Sequence, residues 1–253
     1  MKNLILEICN TPQDIAVVSV DNTQTFEDKR LNELYVPEGE QVAQATKQLI
    51  NLCKPYGIMI INVLEEHPRG HLSLATSYKN KHPYDVLTYD EVKQWTSYQN
   101  GISDKATFDV REVQRFLAEV QQQVLRPNHS LVGTEGIQLM PPLQESDFNV
   151  KILKGQEADR EAYSGFDRTV LDETLRKQKK KILLIGGVAI DYCVGQTALD
   201  AKDLGYEPYL IQEAIRGVAL QTTQAILKEF DRRHIDIITL SELATLLSKK
   251  FTQ

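Results

Sequence analysis

Cysteine is scarce in this chain: there are three, Cys9, Cys53 and Cys193, widely spaced and with no C-x-x-C pair. An odd number at such spacing excludes a disulfide framework and fits free thiols in a reducing compartment, the cytoplasm. Long apolar runs are missing as well. The opening MKNLILEICNTPQD turns to Asn, Pro and Asp after a few apolar residues, too short for a secretory core, and no stretch approaches a membrane span. Basic residues are not in excess: a net charge of −6 gives no electrostatic basis for a nucleic acid or an anionic membrane as partner. Internal repeats and low-complexity tracts are absent too. What remains, 42% hydrophobic and 25% charged residues over 253 positions, describes an ordinary globular chain. It is long enough to bury a core without staples, and one domain over 1–253 is expected.

Short apolar runs alternate with helical patterns. IAVVSV (15–20), GIMIINV (57–63), NVKIL (149–153), KILLIG (181–186), EPYLIQ (207–212) and DIITL (236–240) read as strands. Most are continuously hydrophobic, as parallel strands covered on both faces must be. Residues 38–53 set Val42, Ala45, Leu49, Ile50 and Cys53 on one helical face, and helical patterns recur near 170–178, 194–204, 219–231 and 241–249. The repetition predicts an α/β fold: a doubly wound, mostly parallel six-stranded sheet with helices on both faces. Residues 76–125 break the rhythm. They are polar, carry an amphipathic helix at 110–124 and no convincing core strand, and read as an insertion over the sheet's edge or mouth, serving as a lid or an oligomer contact.

In such a sheet ligands bind beyond the carboxyl ends of the strands, so the residues directly after each apolar run carry the chemistry. The first run is followed by Asp21 and Phe26, and the second by Glu65, Glu66, His67 and His71. The third leads to Lys154 and Tyr163, and the fourth to Asp191 and Cys193, where a helix is expected to open. Singly, each has an ordinary reading: a turn aspartate, a loop salt bridge of Glu65 with a base such as Arg69, a surface lysine, a packed thiol. Together they deliver to one edge an acid, a metal-capable cluster, a cation and a thiol whose pKa a helix N-terminus would lower.

The blocks VSVDNTQTF, HPRGHLSL, RPNHSLVGTEG, LKG…AYSGF and GGVAIDYCVGQTALDA resemble, in order, the signature blocks of the nicotinamidases, or pyrazinamidases, of the isochorismatase-like cysteine hydrolases, over roughly 15–215. The resemblance implies hydrolysis of a small aromatic carboxamide, nicotinamide to nicotinate and ammonia, and a place in NAD salvage. It implies Asp21 as proton acceptor, Lys154 as the supporting cation and Cys193 as nucleophile. It also implies a divalent transition ion on Glu65, His67 and His129, zinc first, with iron and manganese as alternatives. His71 would contact a metal-bound water, and Phe26 and Tyr163 would flank the ring. A cis peptide at Val188–Ala189 would aim the Ala189 N–H, with that of Cys193, at the developing oxyanion.

Several positions leave the family pattern. Glu65 stands where the family has Asp, and Glu66 where an aromatic follows it. Arg126 replaces the Trp of the W-P-x-H block that lines the substrate pocket. The D-x-Q-x-D-F start reads Asp21, Thr23, Thr25, Phe26. These departures bear on metal identity and substrate selectivity. Two rivals stand beside the nicotinamidase reading: a related amidohydrolase acting on a ureido or aliphatic amide, and a non-catalytic binding module. His82 and His234 match no block and read as structural or surface residues, and Cys9 and Cys53 as packed thiols.

Overall fold

The structure is a computed structural model that describes residues 9–251; the apolar run at 4–6 lies outside them. Six parallel strands form the main sheet: β1 (Ile15–Val20), β2 (Met59–Glu65), β5 (Val150–Lys154), β6 (Ile182–Val188), β7 (Glu207–Arg216) and β8 (Asp236–Ile238). Their order across the sheet is β5-β2-β1-β6-β7-β8. The chain runs outward from β1 through β2 to β5, then returns to β1's other side for β6 and runs outward again. That reversal puts the topological switch point between β1 and β6, the crevice where open α/β sheets bind ligands.

Alternation along β1 divides the core in two. Ile15 and Val17 face a layer holding α2 (Gly39–Cys53) and α8 (Leu240–Phe251), whose Leu49, Ile50, Cys53, Leu243 and Leu247 are buried. Ala16, Val18 and Val20 face the other layer, built from α5 (Leu171–Lys177), α6 (Cys193–Asp203) and α7 (Leu220–Arg233). Both faces are thus covered, which is why the strands read as unbroken apolar runs. The doubly wound architecture is as expected, with shifted boundaries. β2 extends to Glu65 because Glu65 pairs in register with Lys154 of β5. β7 continues to Arg216 through an irregularity opposite Ile185 to Gly187. The short helix α1 (Gln24–Glu27), directly after Asp21, has no counterpart in the apolar pattern.

Between β2 and β5 the insertion has its own small apolar cluster, which includes Leu72, Leu87, Val113, Phe116, Leu117 and Leu125. It contains α3 (Tyr89–Val92), α4 (Val110–Val120) and a two-stranded antiparallel ribbon of β3 (Val86–Thr88) and β4 (Gln122–Val124). This corrects one boundary: the helix does not reach residue 124, because Gln121 adopts φ 68°. The ribbon lies outside the main sheet, so the segment adds no core strand, as expected. α4 begins where a capping box predicts, with Asp109 and Glu112 exchanging hydrogen bonds at 2.9 and 2.7 Å.

Candidate active site

The residues after the strand ends converge on Lys154. This lysine ends β5 and is 1% exposed. Its Nζ lies 3.1 Å from Asp21 Oδ2 and 3.1 Å from Glu65 Oε1. The same group donates to the Ala162 carbonyl at 3.2 Å and to Cys193 Sγ at 3.4 Å. Asp21 follows β1 with φ 54°, and its Oδ1 accepts from the Glu65 N–H at 2.7 Å. Cys193 is the first residue of α6. The structure therefore brings together Asp21, Glu65, Lys154 and Cys193, all buried, at the switch point. Arg69 has no ion pair with Glu65 among the described residues; the Glu65 carboxylate faces the Lys154 ammonium and the His67 and His129 imidazoles.

Electrostatics set the resting protonation. Burial penalises the Lys154 ammonium, but Asp21, Cys193 and Glu65 outweigh it and hold its pKa well above the usual lysine value. Burial likewise opposes ionised Glu65, yet Lys154 and His67 keep that carboxyl well below the ordinary range. Asp21 goes the other way: burial, with Glu65 adding, raises it against the pull of Lys154. Burial also pushes the Cys193 thiol well up, and Asp21 and Glu65 reinforce it against Lys154. Burial thus opposes the lowering that the helix N-terminus and Lys154 give. In the resting site desolvation dominates and the sulfur keeps its proton.

Glu65, His67 and His129 form a group whose ligand atoms all lie within 4.8 Å of one another. His67 Nε2 is 3.5 Å from Glu65 Oε1, and His129 Nε2 is 3.3 Å from Glu65 Oε2. The other ring nitrogens face carbonyls: His67 Nδ1 donates to Gly155 O at 2.9 Å and His129 Nδ1 to Pro127 O at 2.8 Å. A carbonyl only accepts, so both rings turn an unprotonated Nε2 inward when neutral, the arrangement of metal-ligating histidines. His67 Nε2 and Glu65 Oε2 are buried without a hydrogen-bond partner. Two imidazoles, one carboxylate and these unpartnered atoms fit a divalent transition ion. His71 stacks on His67 with ring centroids 4.0 Å apart, and its Nδ1 accepts from the Ser73 N–H at 3.2 Å. It adds no atom to the ligand group.

A cavity of about 120 Å³ opens on Cys193 and is lined by Phe26, Arg126, His129, Tyr163 and Ala189, among others. Phe26 meets His129 edge-on at 6.2 Å. Arg126 Cζ lies 5.2 Å from the Tyr192 ring centroid. The Val188–Ala189 peptide is cis, and the Ala189 carbonyl accepts from the Tyr192 and Val194 N–H groups at 3.0 and 3.1 Å. Sequence reasoning missed Tyr35, Tyr84, Glu161, Tyr192 and Val218 in the wall. Tyr192 was accessible from its place beside Cys193. Tyr84 comes from the insertion, where no local signal marks it. A wider groove of about 680 Å³ adjoins the cavity and shares Arg126, Glu161, Tyr163 and Tyr192 with it.

Residues 16–242 match the model of the isochorismatase domain family. The Escherichia coli nicotinamidase is 30% identical over 194 residues, which span 74% of this chain and 77% of that protein. The Saccharomyces cerevisiae nicotinamidase is 28% identical over 75% of this chain and 82% of its own length. Among solved structures, the Pyrococcus horikoshii pyrazinamidase in complex with zinc aligns at 29% identity with a TM-score of 0.66, covering 90% of this chain and 99% of that one. An Acinetobacter baumanii nicotinamidase, at 22% identity and a TM-score of 0.73 over 92% of this chain and 99% of its own, shares the fold. This chain belongs to the isochorismatase-like superfamily, as a hydrolase of its nicotinamidase and pyrazinamidase branch.

Proposed function

We propose that the protein hydrolyses nicotinamide to nicotinate and ammonia, with Cys193 as nucleophile, Asp21 as general base and acid, and Lys154 as the electrostatic support. The observation that carries this reading is the single buried ammonium of Lys154 within 3.4 Å of Cys193 Sγ and 3.1 Å of both Asp21 and Glu65. Burial raises the pKa of Asp21, which strengthens it as the base that meets the protonated thiol. Asp21 takes the thiol proton as sulfur attacks the amide carbon, and Lys154 balances the charge left on the pair. The N–H groups of Ala189 and Cys193 receive the oxyanion. Asp21 returns its proton to the leaving ammonia, then takes one from the water that cleaves the thioester and passes it to the departing Cys193 sulfur.

Glu65, His67 and His129 would hold a divalent transition ion, zinc before iron or manganese, and when bound it supplies a Lewis-acid anchor for the substrate's ring nitrogen. His71 stacks on His67 and would contact a metal-bound water. Phe26 and Tyr163 flank the ring, and Arg126 closes the wall. The partner is thus a small aromatic carboxamide. The free, buried state of Cys9, Cys53 and Cys193 supports a cytoplasmic setting. Among the described residues no helix is long and apolar enough to cross a membrane. Ammonia release from nicotinamide, pyrazinamide, ureido compounds and aliphatic amides by metal-loaded protein tests the reading. Preferred turnover of a ureido or aliphatic amide would replace it with the rival amidohydrolase, and no turnover at all would favour a binding module.

A further inference from the structure

The cavity wall holds a cation that the proposed chemistry does not use. Arg126 follows β4 on a backbone fixed from both sides: its N–H donates to Ser73 O at 2.7 Å and its carbonyl accepts from Ala75 N–H at 2.9 Å. The side chain is half-buried, lies over the Tyr192 ring at 5.2 Å and has the Tyr163 and Tyr192 hydroxyls as polar neighbours. No carboxylate lies within 4.0 Å of it among the described residues. Glu161 lines the same cavity, but its carboxylate accepts from Gln123 Nε2 at 3.2 Å and from the Ala162 N–H at 3.2 Å. A guanidinium cannot shed its proton, and two hydroxyls cannot occupy its five donors. Partial burial without a counter-charge is unfavourable unless a ligand supplies one.

Position within the cavity says which end of a ligand that is. Cys193 lines the catalytic cavity and is itself buried, with Lys154 against its sulfur, so the amide carbon must lie there. Arg126 lines both the catalytic cavity and the outer groove, so it addresses the substrate's far side. The planar fork of a guanidinium matches a carboxylate in two parallel hydrogen bonds.

We infer that Arg126 is a specificity-determining residue and that the preferred substrates are aromatic carboxamides bearing a ring carboxylate remote from the scissile amide. This rests on the nicotinamidase reading and deepens it. Arg126 donates to the ring carboxylate from the wall, Tyr192 holds the guanidinium plane from behind, and the carboxamide stays at Cys193.

The test compares kcat/KM for nicotinamide with that for its ring carboxylates, one at each free ring carbon, in wild type, Arg126→Gln and Arg126→Lys. At least one carboxylate should exceed nicotinamide in wild type by about tenfold or more, chiefly through KM, as a charge-assisted hydrogen-bonded pair gives. Arg126→Gln should remove that advantage, and Arg126→Lys should keep part of it, since a point charge replaces the fork. Calorimetric binding of the same compounds to Cys193→Ala protein gives a readout free of chemistry and should follow the same order. Turnover of nicotinamide with no carboxylate preferred, or a preference unchanged in Arg126→Gln, overturns the inference and leaves nicotinamide hydrolysis standing. No turnover of any compound, with the carboxylates still bound through Arg126, overturns the hydrolysis reading alone. Loss of both turnover and binding overturns both.

Discussion

Glu65 and Lys154 are register partners on adjacent parallel strands, and their charged ends meet 3.1 Å apart at the carboxyl edge of the sheet. Glu65 therefore serves two halves of one site. Oε1 faces Lys154 and His67, while Oε2 faces His129 at 3.3 Å. In the proposed mechanism metal positioning and thiol chemistry share this carboxylate, so removing the metal and removing Glu65 are different perturbations.

Chelation should raise KM for nicotinamide while leaving alkylation of Cys193 nearly unchanged, because Lys154 and Asp21 stay in place. Glu65→Ala should lose the bound ion, expected at about one per chain in wild type, and also change the alkylation rate, since Lys154 loses a counter-charge. Glu65→Asp should keep part of both functions on a side chain one methylene shorter. Metal analysis beside mass-spectrometric labelling checks this; a Glu65→Ala protein with wild-type metal content and KM would remove Glu65 from the metal site.

The thiol's neighbours should separate in the same labelling experiment. Lys154 lowers the Cys193 pKa, so Lys154→Met should slow alkylation near neutral pH. It also leaves Asp21 and Glu65 buried without their cation, a loss of about 3–5 kcal/mol in stability. Asp21 raises the thiol pKa, so Asp21→Asn should not slow alkylation, although it should abolish ammonia release by deleting the base. In wild type the alkylation rate should climb as pH rises towards the elevated thiol pKa. Equal loss of labelling and turnover in Asp21→Asn would mean the carboxylate activates the resting thiol. Cys193→Ala should abolish turnover with the fold intact. Cys53, buried with its thiol pushed up to about 12, should accept Ala with activity kept.

A separate ion pair holds the segment before β5. Asp147 is 5% exposed and meets Lys47 of α2 at 2.6 Å and Lys54 at 3.1 Å. Burial would raise its pKa, but these lysines and the Gln144 N–H lower it below the usual aspartate value. Its stabilisation is therefore complete above the unfolded-state pKa near 3.9 and fades as pH falls through the lower folded-state value. Asp147→Asn should cost about 1–2 kcal/mol at pH 7, a few degrees in Tm, and the gap from wild type should close below about pH 4. A gap independent of pH would place the effect in packing.

Much of this site is legible in the sequence, for a physical reason. A strand covered on both faces must be continuously apolar, so IAVVSV and KILLIG announce themselves, and parallel strands carry whatever follows them to one edge. Asp21, Glu65, Lys154 and Cys193 were found that way. The insertion resisted because its signals mislead. Val120 and Val124 keep the helical spacing, yet the chain leaves the helix at Gln121, which has φ 68° without a glycine to mark it. The placing of Arg126 over Tyr192 joins the residue just after the insertion to the one just before α6, a contact no local pattern encodes. The burial that opposes the thiolate is not legible either, because a helix terminus is visible in sequence, whereas desolvation is a property of the folded site.

Gly155 offers a test of the histidine that the metal group depends on. It sits directly after Lys154 with φ +70°, and its carbonyl accepts from His67 Nδ1 at 2.9 Å. A Cβ built there would lie 2.7 Å from His67 Cε1 and 2.8 Å from Nδ1, inside any tolerable contact. Alanine would therefore meet two obstacles, a left-handed backbone that disfavours a side chain and an imidazole already in the space. The chain can relieve both only by moving the carbonyl or rotating the ring, and either change misdirects Nε2. Gly155→Ala should weaken metal binding by about 10- to 100-fold, the range seen when a histidine loses its orienting partner, and raise KM for nicotinamide. Excess metal should restore part of the activity, because the ligands themselves remain. Full metal affinity and unaltered KM in a folded Gly155→Ala protein would show that His67 does not need this carbonyl to ligate.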